Sequence, residues 1–364
     1  KHARRSPGPY SSSDRIGKQS LMINFASDNV TSASPEVLQA VIDANKTAPR
    51  MPYGNDPYTA NIEAQLSELF GTEVRALHVG TGTAANALAL ASLTPPWGAI
   101  YCHEQAHIQT SECAAPEFYT GGAKLVPLPG TNGKLAPEVL CKAIDRSDSV
   151  HHVQPSAISL TQATEAGTIY RPEEVAALAR IAAEAGLKVH MDGARFANAV
   201  AAAGCSAAEM TWKAGVDVLS FGGTKNGCLG AEAIIYFKAE LAENAARQRK
   251  RGGHLFSKMR LLTAQFEGYL AEGAWLRRAA HANAMAKRLA AGIGGVQGVE
   301  LLFPVESNQL FPRFPAGVAH RLNEEGVLFY PEMIDGASRL VTAWSTTEEE
   351  VDQFVMAVRR VLEG

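Results

Sequence analysis

The order of apolar and polar residues along the chain predicts strands that alternate with helices. Short apolar runs rich in β-branched residues, typical of buried strands, occupy 75–79, 98–102, 124–128, 157–161, 187–191, 216–221 and 232–237. Helical patterns lie between them; one begins at Ser34-Pro35 and another runs from Pro172 to near Gly186. This alternation is typical of an open, mainly parallel α/β sheet, in which sites form at the carboxyl ends of the strands.

The pattern changes after about residue 250. A helical stretch covers roughly 255–291, and two weaker strand signals follow near 308–314 and 338–344. The last helix is expected to begin at Thr346, with Glu349 completing a capping box. We therefore expect a large domain over 21–255 and a smaller α+β domain over 256–364. Residues 1–20 have no apolar core segment and mix Pro, Gly and Ser with cations, so we expect a linker or disordered tail rather than a signal peptide.

Composition and charge exclude several classes of protein. The 364 residues are 46% apolar and 20% charged, which is enough to bury a sizeable core. The 34 basic and 37 acidic residues give a net charge of −3 without a basic stripe, so nucleic acid is not an expected partner. No apolar run approaches the ~20 residues of a membrane span. Five widely spaced cysteines without a CxxC pair fit a reducing, cytoplasmic location.

The first motif with possible chemistry is VGTGTAAN, where a predicted strand meets a helix of small residues. The turn that contains Gly82 and Thr83 would point free backbone N–H groups and a helix N-terminus at one spot, which suits a phosphate. The same letters match G-x-G-x-x-A, so a dinucleotide site is an alternative. A tight turn that serves packing alone is another.

The second motif is KVHMDGARF, in which Asp192 ends a buried strand and Arg195 follows three residues later. A buried carboxylate needs a cationic partner. The protonated ring nitrogen of a cofactor would supply one, and Arg195 would then be free to bind a substrate carboxylate. The alternative is a structural salt bridge between Asp192 and Arg195.

The third motif is VLSFGGTKNG, where a strand breaks at a Gly-Gly pair and is followed by Thr224 and Lys225. A lysine held there could form a Schiff base with an aldehyde, and Thr224 could bind the same phosphate as the Gly82 turn. A surface lysine is the alternative for Lys225 alone, but its combination with Asp192 is more specific.

The fourth motif, HEQAH, places His103 and His107 just after a predicted strand. It formally matches H-E-x-x-H, the zinc-binding pattern of metalloproteases. That pattern requires an amphipathic helix and a third ligand downstream, and neither is evident in the sequence. We therefore expect no metal site.

Together, these motifs resemble the L-threonine aldolases, which are pyridoxal 5'-phosphate (PLP) enzymes of fold type I. The resemblance runs from about Phe25 to the C-terminus and rests on FASDNVT, YGNDPYT, GTGTAAN, EQAH, TQATEAGT, HMDGARF, GGTKNG and RLVTAW. Low-specificity threonine aldolases and phenylserine aldolases are the nearest match. The resemblance implies an aspartate-aminotransferase-like fold with a mainly parallel seven-stranded sheet, and a homotetramer whose subunits share sites.

By position, the resemblance also implies a role for individual residues. Lys225 corresponds to the Schiff-base lysine, Asp192 to the partner of the pyridine nitrogen, and His107 to the imidazole stacked on the cofactor ring. Gly82, Thr83 and Thr224 correspond to phosphate-binding residues. Arg195, Ser27 and Arg339 correspond to the group that fixes the substrate carboxylate, Tyr53 to an aromatic residue near the site, and His151 to a second active-site histidine. Lys250 and Lys258 fall where family members reach a neighbouring subunit's phosphate.

The implied reaction is cleavage of the Cα–Cβ bond of an L-β-hydroxy-α-amino acid to glycine and an aldehyde. A base must accept the β-hydroxyl proton, and His107, His151 or a water between them are the candidates. A β-eliminating lyase or a transaminase could use the same residues, and an NAD-dependent oxidoreductase is a more distant alternative. The segment ECAAPEFYTGGA after His107, which the shortest family members lack, could reshape the aldehyde pocket.

Overall fold

The computed structural model describes residues 22–46, 50–144, 147 and 149–363. The predicted tail over residues 1–20 lies outside this range. In the part of the chain that is described, none of the helices is long and apolar enough to cross a membrane.

The strands and helices follow one another in the order that the sequence predicts. The strands are β1 (Ile23–Asn24), β2 (Arg75–Val79), β3 (Gly98–His103), β4 (Lys124–Leu128), β5 (Gln154–Thr161), β6 (Lys188–Gly193), β7 (Val218–Gly222), β8 (Glu232–Tyr236), β9 (Glu300–Leu301), β10 (Gln309–Leu310), β11 (Pro312–Arg313), β12 (Val327–Leu328), β13 (Tyr330–Ile334) and β14 (Ala337–Val341). The helices are α1 (Pro35–Lys46), α2 (Pro57–Phe70), α3 (Gly82–Leu93), α4 (His107–Thr110), α5 (Ala115–Thr120), α6 (Pro137–Ala143), α7 (Pro172–Glu184), α8 (Phe196–Ala203), α9 (Ala207–Met210), α10 (Ala242–Arg251), α11 (Met259–Leu270), α12 (Ala274–Ile293), α13 (Val318–Glu324) and α14 (Glu348–Glu363).

A seven-stranded sheet forms the centre of the molecule, with the strand order β2-β8-β7-β6-β5-β3-β4. Strands β4, β3, β5, β6 and β7 pair in parallel, whereas β8 is antiparallel to both β7 and β2. The predicted mainly parallel sheet is confirmed. Because β2 runs in the same direction as β7, the carboxyl ends of six strands and the beginning of β8 meet at one edge of the sheet. The four motifs follow β2, β3, β6 and β7, so they lie at this edge.

The first described strand packs with the C-terminal part of the chain. β1 pairs in parallel with β12, and the Phe25 ring lies 5.5 Å from that of Phe354 in α14. These residues share an apolar core with α12, α13 and α14. We propose that the two domains divide near residue 255, as the sequence indicates, and that β1 belongs to the smaller one.

Two helix predictions need correction. The stretch over 255–291 is two helices, because Glu272 adopts a left-handed conformation with φ 51° in the turn between α11 and α12. The C-terminal capping box is formed by Thr347 and Glu350, one residue later than predicted: the Thr347 N–H donates to Glu350 Oε2 at 2.7 Å, and the Glu350 N–H donates to Thr347 Oγ1 at 3.2 Å. The prediction was wrong because consecutive threonines each have a glutamate three residues later. The Thr346 hydroxyl instead accepts from the Ala343 N–H.

The contact between α1 and α11 yields a stability prediction. A Cβ on Gly268 would come within 2.6 Å of the Glu36 carbonyl carbon and 2.7 Å of Val37 Cα, both backbone atoms that cannot rotate away. We expect Gly268→Ala to destabilise the fold by about 1–3 kcal/mol because the two helices must separate. Thermal unfolding measures the change. Gly295→Ala is the control, since a Cβ there meets nothing within 4 Å; equal melting temperatures for the two variants would contradict the prediction.

Candidate active site

A cavity of about 280 Å³ lies at the carboxyl edge of the sheet and brings six of the predicted residues together. They are Gly82, Thr83, His107, Asp192, Thr224 and Lys225. The same cavity is lined by four further polar residues that the sequence analysis did not single out, namely Asn86, Glu112, Glu165 and Glu232. A larger cavity of about 730 Å³ lies between α3, α5 and α10, but none of the predicted site residues lines it. Chemistry rather than volume therefore identifies the site.

The N-terminus of α3 forms one wall of this cavity. The helix begins at Gly82, and the Thr81 hydroxyl caps it by accepting from the Ala84 N–H at 3.1 Å. The backbone N–H groups of Gly82 and Thr83 belong to the first turn and have no acceptor within the helix. With the positive end of the helix dipole, they suit the binding of a phosphate.

Asp192 ends β6 as a buried carboxylate that is 3% exposed. Its Oδ2 accepts from the Asn86 side-chain amide at 2.9 Å, and its Oδ1 accepts from the Ala194 N–H at 3.1 Å. Within the described residues it forms no ion pair. A carboxylate buried without a cation is unfavourable, so the site suits a ligand that carries a positive charge at this point.

Arg195 pairs with Asp28, so the alternative of an Asp192–Arg195 salt bridge is wrong. Arg195 Nε donates to Asp28 Oδ2 at 2.8 Å and Nη2 donates to Oδ1 at 2.9 Å, with the two residues 6% and 1% exposed. Burial alone would raise the pKa of Asp28, but the charges of Arg195 and Lys225 and the hydrogen bonds from Arg195 and Asn308 hold it below its ordinary value. This pairing uses one edge of the guanidinium and leaves Nη1 for a ligand.

Arg339 adds a second guanidinium close to this pair. Its Nη2 donates to the Ala26 carbonyl at 3.1 Å, and its carbon lies 5.0 Å from the centre of the Tyr330 ring. Burial lowers the pKa of Arg339, and the neighbouring Arg195 lowers it further. Ser27 caps the turn that carries Asp28, accepting from the Asn29 N–H at 3.1 Å. A carboxylate bound here would relieve the repulsion between the two guanidinium groups.

Lys225 lies in the single turn Thr224–Asn226 that follows β7. The approach to it requires glycine, because a Cβ on Gly222 would come within 2.9 Å of the backbone of Ala194. The Lys225 side chain is half-buried and forms no ion pair with a described residue. Its amine is thus available to an aldehyde.

His107 and Glu112 form a hydrogen-bonded pair that the sequence analysis missed. His107 Nδ1 lies 2.8 Å from Glu112 Oε1, and Glu112 is only 4% exposed. The hydrogen bond from Glu112 raises the pKa of His107, while burial raises the pKa of Glu112. The Asn86 amide donates to Glu112 Oε1 at 2.8 Å as well as to Asp192, so a polar network links Asp192 to His107.

Two predicted site residues lie outside the cavity of their own chain. His151 is exposed and precedes β5, which places it at the amino edge of the sheet, opposite the site. Tyr53 is 43% exposed, and its ring lies 4.6 Å from Lys250 Nζ. The expectation that His151 contributes to this chain's own site is therefore wrong, because the direction of β5 sets the two apart.

The HEQAH histidines bind different partners. His103 Nε2 lies 3.3 Å from the Gly130 carbonyl, whereas His107 bonds Glu112. Across the described ranges, no group of three or more His, Cys, Asp or Glu residues could hold a metal ion.

The residues of the cavity fit PLP. The Asn86 Oδ1 and Glu112 Oε2 atoms are buried without a partner among the described residues, as expected beside a binding site. The unpaired Asp192 carboxylate matches a protonated ring nitrogen, the N-terminus of α3 and Thr224 match a phosphate, and Lys225 matches an aldehyde. His107 supplies a ring at the same cavity.

Comparison with known proteins identifies several similar to this chain. The family model described as "Beta-eliminating lyase" matches residues 24–313. A low-specificity L-threonine aldolase from a Pseudomonas species is 43% identical over 338 residues, which is 93% of this chain and 97% of that protein.

Solved structures give a similar result. A threonine aldolase from Leishmania major has 30% identity and a TM-score of 0.87, covering 93% of this chain and 99% of that one. A methionine aminotransferase from Escherichia coli has a TM-score of 0.72 at 12% identity over 94% of each chain, which is a likeness of fold alone.

The His107–Glu112 pair generates a prediction. We expect Glu112→Gln to lower the pKa of His107, because the glutamine cannot carry the negative charge that stabilises the imidazolium. The lower pKa means that His107 loses its proton at a lower pH, which the ring proton shifts measure in an NMR titration. Glu104→Gln is the control, since Glu104 is exposed on the same loop. A His107 pKa that is equal in the two variants would show that Glu112 does not act on the imidazole.

Proposed function

The chain belongs to the β-eliminating lyase family and, within it, to the low-specificity L-threonine aldolases, and we propose that its site cleaves L-threonine, L-allo-threonine and phenylserine to glycine and an aldehyde. It is a PLP-dependent lyase with the fold of type I, as the sequence predicts. Alternatives with another reaction on the same fold are less favoured, because the relatives that cover nearly the whole chain are threonine aldolases.

The observation that carries the proposal is a single cavity that holds an unpaired lysine, an unpaired buried aspartate and a helix N-terminus. When bound, PLP supplies an electron sink for the pair released as the Cα–Cβ bond breaks. Asp192 keeps the ring nitrogen protonated, since a buried carboxylate strongly favours a cation beside it. Asn86 fixes the orientation of that carboxylate through its 2.9 Å hydrogen bond.

Arg195 and Arg339 orient the substrate by its carboxylate. Bond cleavage requires the scissile bond to stand perpendicular to the ring, so the remaining substituents of Cα must be held in place. Arg195 is itself held rigidly by Asp28, and its Nη1 remains for the substrate. Arg339 has a buried Nε that lacks a partner among the described residues, and Ser27 lies on the adjoining turn.

His107 accepts the β-hydroxyl proton. Glu112 engages Nδ1, so Nε2 is the nitrogen left for the substrate. The raised pKa of His107 means that the basic form grows as the pH increases through that value, and the rate of cleavage is expected to increase with it. His151, the other candidate from the sequence, is too exposed and too far along the sheet to serve this cavity.

We propose that the assembly is a homotetramer in which neighbouring subunits complete each site. Tyr53, His151 and the Lys250 amine stacked on Tyr53 are exposed and directed away from their own cavity, which supports their use by a neighbour. All five cysteines are free, as a reducing compartment requires, and we propose the cytoplasm as the location.

The reaction is tested with PLP-loaded protein mixed separately with the three amino acids. We expect glycine and aldehyde in equal amounts, and the ranking of the three rates separates a threonine aldolase from a phenylserine aldolase. Lys225→Ala is the control and should show neither turnover nor the visible absorbance of a lysine-bound cofactor. Ammonia and a keto acid in place of glycine would refute the aldolase reaction while leaving the cofactor site in place.

Shared sites are tested by mixing two inactive variants. Lys225→Ala lacks the cofactor lysine, and Tyr53→Ala lacks the residue proposed to come from a neighbour. If the two residues act across an interface, a mixed assembly of equal parts regains about a quarter of the wild-type activity, since one site in four receives both intact residues. Activity that stays at the level of the unmixed variants after dissociation and reassembly would show that both residues serve one subunit.

A further inference from the structure

Glu232 is a buried carboxyl group in the active-site cavity to which the mechanism above gives no role. It begins β8 and pairs with Val79 at the end of β2 and with Gly222 at the end of β7. The first of these strands leads to the N-terminus of α3, and the second leads to Lys225. Glu232 therefore lies between the two parts of the cavity that match the cofactor phosphate and its aldehyde, and it is 7% exposed.

The contacts of Glu232 occupy donors of this same turn. The Gly223 N–H donates to Glu232 Oε2 at 3.2 Å, and the Thr224 side chain is hydrogen-bonded to the carboxyl group as well. Thr224 Oγ1 accepts from the Ala231 N–H at 3.2 Å, which leaves its hydroxyl proton for Glu232. The carboxyl group is thus built into the turn that carries Lys225.

Burial raises the pKa of Glu232 to about 7, although Thr224, Lys225 and the backbone of Gly223 act against the shift. The other titratable groups that interact with it are Cys228, on the connection between β7 and β8, and Tyr269 of α11. From β2 the paired residue is the apolar Val79. Among these groups Lys225 carries the positive charge, so an incoming anion is not shielded from Glu232 by several cations.

An ionised Glu232 would oppose cofactor binding in two ways. A phosphate with two negative charges would share a cavity of about 280 Å³ with a carboxylate, and like charges at short range disfavour each other's ionised forms. The carboxylate would also favour the ammonium form of Lys225, whereas attack on an aldehyde requires the neutral amine. Both effects disappear when Glu232 carries a proton.

We propose that Glu232 takes part in cofactor binding as a neutral carboxylic acid, taking up a proton when the phosphate of PLP enters the cavity. The inference rests on the proposed function only for the identity of the cofactor. One linked proton makes the dissociation constant rise by up to tenfold per pH unit once the carboxyl group of the free protein ionises.

The test compares the affinity of the apoprotein for PLP in the wild type and in Glu232→Gln, by equilibrium dialysis between about pH 6 and pH 9. The ratio of the wild-type to the variant dissociation constant should increase with pH, approaching tenfold per unit. With pyridoxal, which lacks the phosphate, this ratio should stay flat. Glu165→Gln is the matched control: Glu165 lines the same cavity but is only half-buried, and this variant should follow the wild-type curve.

Parallel curves for the wild type and Glu232→Gln would overturn the inference, and so would an equal effect with pyridoxal, which would place the action of Glu232 on Lys225 alone. If Glu232→Gln fails to fold, calorimetry of the wild type in buffers of different ionisation enthalpy provides the answer. At about pH 8 the free phosphate is already dianionic, so binding of PLP should take up one more proton than binding of pyridoxal. Equal uptake would also overturn the proposal.

Failure of the inference can be distinguished from failure of the proposed function. Wild-type protein that shows the pH-dependent affinity but releases no glycine from any of the three amino acids would retain the role of Glu232 and lose the aldolase reaction. Release of glycine together with parallel binding curves would do the reverse.

Discussion

The buried ion pair between Asp28 and Arg195 is the contact on which the geometry of the site depends. Its two residues come from the first turn of the described chain and from the end of β6, and Asn308 of the C-terminal region donates to the same carboxylate at 3.0 Å. Removing one partner of such a pair leaves an uncompensated buried charge, which is strongly destabilising. The pair therefore fixes the relative position of the sheet and the C-terminal region, and it orients a guanidinium toward the substrate.

The remaining charges of the site form two groups that differ in their pairing. Asp192, Glu112 and His107 are joined through Asn86 into one hydrogen-bonded network, in which the position of a proton on His107 is coupled to the charge of Asp192. Lys225 and Glu232, in contrast, lie close together without an ion pair between them. Binding of a cationic ring at the first group and an anionic group at the second would balance both, which explains why the free cavity holds so many acidic residues.

The sequence predicted the sheet well and the polar network poorly, for a physical reason. Strand 75–79 was predicted correctly because a buried strand declares itself in consecutive apolar residues. Asp28 was not identified, since its partner Arg195 lies 167 residues away and nothing local marks a long-range ion pair. Glu112 was read only as part of a longer segment, although its position five residues after His107 could have suggested a contact. His151 was placed by resemblance alone, and the direction of β5 contradicts that placement within one subunit.

The pairing of β1 with β12 has a consequence for how the protein is made. The segment around Asp28 leaves the ribosome early, but its partners Val327, Leu328 and Asn308 emerge about three hundred residues later. At the usual speed of about 5–20 residues per second, the nascent chain waits roughly 15–60 s before these contacts can form. During that time, the seven-stranded sheet can be complete while the substrate guanidinium still lacks its carboxylate partner. A prematurely terminated chain would thus possess the lysine and the helix N-terminus for the cofactor and yet be unable to hold an amino acid in position.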